Sequence, residues 1–291
     1  YIFNKETGEA TPILSLGITK LVISSPIVDV EGKTHDITLH NNILNEDYDG
    51  PGKLKNLKEL VVTNVPNFTF STCCFHYSKN LEKVDVSGVV NLTIESFAFE
   101  ECQKLYEVNI NAKDSISMPL YLGSYPRQAF YNCYNLKQIS LAAQTINIGK
   151  ESFWNCINLE KVTFAGDNIS IGLVAFRKCL SLKQIEFNKE PTSLHIANSA
   201  FDGCKNFNDP EFKKTCDIHK VPGSAFWESG FDENADNQNV PVDDDYNNFM
   251  FPAPIPLYSD DDGSDSFNTD CYSLLKVMQG IITGPTDNNE N

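Results

Sequence analysis

Nine cysteines and five histidines are the side chains of this 291-residue sequence with the widest chemical reach. Five of the cysteines, Cys102, Cys133, Cys156, Cys179 and Cys204, each stand three residues after a phenylalanine in a recurring segment. A cysteine so placed can be a metal ligand, a nucleophile, half of a disulfide or a small buried hydrophobe. Metal binding is disfavoured, because there is no Cys-x-x-Cys and no histidine in register with the file. The histidines, His35, His40, His76, His195 and His219, are scattered, and none shares the repeat register with a Cys or Ser nucleophile. Gly-x-Ser-x-Gly, P-loop and His-Glu-x-x-His signatures are absent as well, so no catalytic residue is assigned and an enzyme is not expected. Stacked copies would bring the file thiols within disulfide range but with parallel Cβ bonds, a poor geometry. Reduced, buried thiols are the expectation. Cys73 and Cys74 are adjacent and do not readily bridge; pairing of Cys216 with Cys271, tying the C-terminal segment to the body, is the alternative kept open.

Oxygen ligands cluster further on. Asp232, Asn234, Asp236 and Asp243 fall at positions 1, 3, 5 and 12 of an EF-hand-type calcium loop. Asn237 replaces the turn glycine of such a loop, and Asp243 replaces the bidentate glutamate, so a plain solvated acidic loop outweighs calcium there. No other cofactor is indicated. Three Asn-x-Ser/Thr sequons, at Asn67, Asn91 and Asn168, share one repeat position and read as a by-product of polar–apolar alternation. Tyr121, Tyr125, Tyr131 and Trp154 form a candidate binding patch: the first two lie in an insertion, the others one residue after the register phenylalanine on neighbouring copies. A packing role for these aromatics is the heavier alternative.

These residues are positioned by a repeat. Phe75, Phe99, Phe130, Phe153, Phe176, Phe201 and Phe226 each open a short motif, with spacings of 24, 31, 23, 23, 25 and 25 residues. Phe153-Trp-Asn-Cys156-Ile-Asn-Leu159 is a full copy; Ser78 replaces the cysteine in the first. A strand-like alternation follows each anchor leucine, as in Val84/Val86, Val108/Ile110, Ile139/Leu141, Val162/Phe164 and Ile185/Phe187. A second short apolar pair comes next, such as Ile146/Ile148 or Ile169/Ile171. Residues at i and i+2 of a strand share one face. A unit this small cannot bury that face alone, so copies must stack as rungs about 4.8 Å apart. Outward positions then fall into two polar columns of mixed sign: Lys83, Glu107, Gln138, Lys161, Gln184, and Asp85, Asn109, Ser140, Thr163, Glu186. Lacking aromatics, they read as a solvated sheet face.

The wording Ile-Gly-x-x-x-Phe-x-x-Cys-x-Asn-Leu-x-x-Val, seen from Ile148-Gly149 through Val162, resembles the BspA-like (Treponema-type) leucine-rich repeat family over roughly residues 54–230. The proline common after the strand in that family is missing. The resemblance implies an α/β repeat solenoid: a right-handed leucine-rich-repeat superhelix with short strands, short helical turns and non-repeat caps at both ends. It also implies a non-catalytic, adhesion-like protein, extracellular or on the cell surface, that binds another protein or a host ligand. A glycan-binding module using the aromatics near 121–154 is one alternative, and a structural spacer within a larger surface protein is another.

The ends and the charge complete the organisation. Residues 1–53 lack the template and are read as an N-terminal cap, with a truncated upstream repeat as the alternative; 54–230 is the solenoid of about seven repeats; 231–291 is an acidic C-terminal cap or tail. The net charge of −16 is concentrated in that last segment, which has 13 acidic residues against the single Lys276. Neither part offers the basic surface that nucleic acid or an anionic membrane requires, so neither partner is expected. No apolar run reaches the roughly 18 residues that span a bilayer, so no membrane insertion is expected of this segment. A start at Tyr1 without Met suggests a trimmed or partial chain whose targeting segment lies elsewhere.

Overall fold

The computed structural model describes residues 17–24, 34–39, 54, 56–119, 129–215, 223–227 and 229–230, together with short strands at Ile2–Phe3, Ala10–Thr11 and Ile27–Val28. The chain divides into two compact units, Tyr1–Asn237 and Gln238–Asn291, and every described residue belongs to the first.

The strands, in chain order, are β1 (Ile2–Phe3), β2 (Ala10–Thr11), β3 (Lys20–Ile23), β4 (Ile27–Val28), β5 (Thr34–His35), β6 (Ile37–Leu39), β7 (Glu59–Thr63) and β8 (Asn67–Phe70). They continue with β9 (Lys83–Ile94), β10 (Glu107–Ser117), β11 (Gln138–Ala142), β12 (Thr145–Ile148), β13 (Lys161–Ala165), β14 (Asn168–Ile171), β15 (Gln184–Phe187) and β16 (Ser193–Ile196). One helix, α1 (Pro210–Thr215), and a 3-10 turn at Gly223–Phe226 follow. Two parallel ladders run through one sheet. The first passes β3-β7-β9-β10-β11-β13-β15 and the second β6-β8-β9-β10-β12-β14-β16, with the long β9 and β10 crossing both. β1 pairs with β2, and β4 with β5, as separate antiparallel pairs.

Register follows the sequence columns. Val84, Val108, Ile139, Val162 and Ile185 are partners in series, and all are buried. Ile116, Ile146, Ile169 and Leu194 are likewise partners in series on the second ladder, the first three buried and Leu194 half-buried. Between the ladders the register phenylalanines form an unbroken stack from Phe75 to Phe226, with successive centroids 5.0–5.5 Å apart and rings within 10° of parallel. The Gly of the Ile-Gly pair is set by close rung approach: a Cβ on Gly172 would lie 2.9 Å from the Ile148 carbonyl oxygen.

The helical turns expected between strands are not what fills those segments among the described residues. They are runs of tight turns in which positions two before and two after the phenylalanine are left-handed, as at Glu151 (φ 61°) and Asn155 (φ 63°), or Val174 (φ 48°) and Lys178 (φ 58°). Alternate residues bond in different directions. His76 N–H reaches back to Cys73 O within the turn, whereas Cys73, Phe75 and Tyr77 donate to Ser96, Ala98 and Glu100 on the next rung. A helix would consume every N–H internally; the left-handed steps turn every second one along the stack and add a third inter-rung ladder. The solenoid is therefore β-built.

Within residues 1–53, β3 pairs in parallel with β7, and β6 with β8, so both ladders extend beyond Leu54 toward the N-terminus. At the other end, Asp209 caps α1. Its Oδ1 accepts from Glu211 N–H (3.0 Å) and Phe212 N–H (3.4 Å), and its Oδ2 accepts from Ile185 N–H (3.1 Å) on the edge of β15. Phe212 enters the core beside Phe187, Phe201, Phe207 and Phe226.

Candidate interaction surface

The cysteine file faces inward. Each of Cys102, Cys133, Cys156, Cys179 and Cys204 is buried, and its thiol donates to the carbonyl of the register phenylalanine one rung earlier, at 3.0–3.3 Å. Those carbonyls already accept from an N–H three residues on, as Phe130 O does from Cys133. The thiol thus occupies the second lone pair of a buried oxygen. Burial pushes the Cys133, Cys156 and Cys179 thiols well above the ordinary range, which removes nucleophilic thiolate. All seven described cysteines are free thiols. Cys216 and Cys271 lie outside the described residues.

The two polar columns of the sheet face fall in the expected register, and they are internally paired. Lys20 bridges Glu59 at 2.7 Å, Lys83 bridges Glu107 at 3.1 Å, Gln138 Nε2 donates to Glu107 at 2.9 Å, and Lys161 bridges Glu186 at 2.7 Å. Beside them Lys58 meets Glu82 at 3.1 Å. Charge on this face is satisfied from rung to rung. At the corner between the ladders lies an open groove of about 440 Å³, floored by Ala142, Ala143, Ala165 and Gly166. Its titratable lining is Lys113, Asp114, Asp167 and Lys189, the last two paired with each other. No serine, threonine, cysteine or histidine lines it.

The turn face is different. Tyr131 and Trp154, placed on adjacent rungs by the sequence, meet edge-to-face at 5.7 Å. Arg177, one rung further, lies over the Trp154 ring at 5.0 Å and bridges Asp202 at 2.9 Å. Below them Asn155 Nδ2 donates to Asn132 Oδ1 (2.9 Å) and Asn132 Nδ2 to Glu101 Oε1 (2.6 Å). Burial raises the Glu101 carboxyl, and the Asn132 bond offsets only part of that. His76 sits against the buried Glu100 at 2.9 Å on the same face. Three residues after Tyr131, Trp154 and Arg177 come Tyr134, Ile157 and Leu180, the last 40% exposed. The repeat register places these three one position after the file cysteine, but they do not share a residue type that would mark them as a set in the sequence.

Of the other sequence candidates, Tyr121, Tyr125, Asp232, Asn234, Asp236 and Asp243 lie outside the described residues. Among the described residues no cluster of His, Cys, Asp and Glu is arranged to hold a metal ion. Two of the sequon asparagines form part of a polar ladder: Asn67 Nδ2 donates to Asp36, Asn91 Nδ2 to Asn67 Oδ1, and Ser115 Oγ to Asn91 Oδ1.

A stack of register phenylalanines with parallel ladders on either side defines a leucine-rich-repeat solenoid. The chain matches the BspA type leucine rich repeat region in six copies, over residues 53–125, 68–207 and 123–235, and belongs to that family. No curated protein and no solved structure matches the chain. The family is one of repeat proteins suited to protein binding, and no described helix is long and apolar enough to cross a membrane.

Proposed function

We propose that this chain is a non-catalytic, adhesion-like binding module of an extracellular or cell-surface protein, recognising another protein or a host ligand. The observation that supports it is the continuous register itself. Rung-to-rung bonding on the strands, the turns and the phenylalanine stack makes a stiff surface many side chains long, which suits recognition of a large partner. The inward thiols and a groove lined by no serine, threonine, cysteine or histidine support a scaffold rather than a catalyst. In this reading β3 and β6 serve as a first rung within residues 1–53, 54–230 is the working solenoid, and 231–291 is the acidic cap or tail.

The test is saturable binding of the full chain to a panel of purified extracellular proteins, read by interferometry beside a glycan array. Saturable binding to protein is expected. Binding to glycans alone would instead favour the second reading, a glycan module, which rests on the contact of Tyr131 with Trp154 and would draw on Tyr121 and Tyr125. Calcium at Asp232, Asn234, Asp236 and Asp243 belongs to the same proposal; a melting temperature unmoved by millimolar calcium would count against it.

A further inference from the structure

We infer that the turn face over the rungs of Phe130, Phe153 and Phe176 is a docking surface for an acidic protein segment bearing apolar side chains. This deepens the protein-binding reading and rests on it. On the rungs of Phe130, Phe153 and Phe176, positions one and four after the phenylalanine, on either side of the inward cysteine, are half-buried or exposed, whereas Glu100 at the first of these positions is buried. On these three rungs the two positions hold Tyr131/Tyr134, Trp154/Ile157 and Arg177/Leu180, whereas the rungs on either side hold Glu100/Gln103 and Asp202/Lys205. Backbone bonds bring the six together: Asn132 N–H to Trp154 O (3.1 Å), Asn155 N–H to Arg177 O (2.8 Å) and Ser181 N–H to Ile157 O (3.0 Å). Tyrosine, tryptophan and arginine with aliphatic neighbours are the composition of binding hot spots, and the polar sheet columns lack it.

Charge selects the partner. On the sheet face lysines are paired with carboxylates from rung to rung. At the edge of this patch, Lys178 follows Arg177 directly and Lys205 stands one rung below Leu180; both are exposed and make no ion pair among the described residues. Two cations with no ion pair among the described residues, beside an aromatic and aliphatic surface, complement an acidic, apolar segment. A sugar stacks on an open aromatic face, and the Arg177 guanidinium covers one face of Trp154 at 5.0 Å.

The experiment selects a phage-displayed library of short random peptides on the full chain. The affinity of an enriched peptide is then measured for the native protein and for Leu180→Ser, Lys205→Glu and, on the sheet face, Lys161→Glu. All three sites are partly or fully exposed, so melting temperatures should hold. Enrichment of Asp/Glu beside Leu, Phe or Trp is expected. Leu180→Ser and Lys205→Glu should each weaken binding roughly tenfold, and Lys161→Glu should not. Peptides lost only with Lys161→Glu, or unaffected by all three variants, overturn this surface and leave the protein-binding reading standing. Enrichment of basic or uncharged peptides overturns the choice of partner. No enriched peptide, with glycan binding that Leu180→Ser abolishes, overturns both readings.

Discussion

At the scale of the residue, the register cysteine is a hydrogen-bond donor small enough to stand in a packed core. Its partner, a phenylalanine carbonyl one rung back, would otherwise have one lone pair facing apolar side chains. Cys156→Ala removes both the donor and the sulfur volume, and should lower stability by about 1–2 kcal/mol in chemical denaturation. Cys156→Ser should lose less, because a hydroxyl donates as well. Glu101 gives a prediction of opposite sign. Its carboxyl is raised by burial, so the folded state holds a proton that the unfolded chain has already released. Stability therefore falls as pH rises through the window between the unfolded value and the raised folded one. Glu101→Gln, which still accepts from Asn132, should raise the melting temperature at pH 7 and show no advantage below the unfolded glutamate range. Cysteine burial was legible from its position between phenylalanine and leucine. The thiol-to-carbonyl bond was not, because its acceptor lies 26 residues away for Cys156.

At the scale of the element, the strands were legible almost residue by residue, since period-two alternation and repeat register together fix both face and partner. The turns were not. Left-handed backbone at Glu101, Glu151, Val174 and Lys178 is carried by residues that do not advertise it, and it persists because each such step delivers an N–H to the next rung. The closing helix was also invisible, although Asp209-Pro210 has the form of an N-cap followed by proline at the first helical position. Asp209 both caps α1 and accepts from the edge of β15. Asp209→Ala should cost about 1–2 kcal/mol and speed amide exchange at Ile185 in particular. Asp209→Asn, which keeps one acceptor, should cost less.

At the scale of the whole described unit, the rungs form a near one-dimensional array in which each mainly contacts its neighbours. Local opening should be cheapest at the ends. Hydrogen exchange is expected to be slowest in β10, β11 and β13 and to quicken toward β3 and β16, while uniform exchange along the stack would show all-or-none unfolding instead. The binding surface belongs to this scale too. Aromatics at Tyr131 and Trp154 were legible as neighbours because they share a register position. Their setting was not: Arg177 over Trp154, Leu180 below Ile157 and two lysines with no ion pair among the described residues appear only when neighbouring rungs are read together.

The sequence by itself determined the repeat, the columns, the inward cysteines and the placing of most of the net negative charge in the last segment. Each of these follows from periodicity along the chain, and period converts directly into face and register. Tertiary structure decided three further things. Strands β3 and β6 within residues 1–53 join the ladders, the connecting segments are tight turns, and sheet-face charge is spent between rungs while the turn face keeps aromatic and cationic side chains outward. All three depend on which donor meets which acceptor across a rung spacing, and such pairings join residues more than twenty positions apart in the chain.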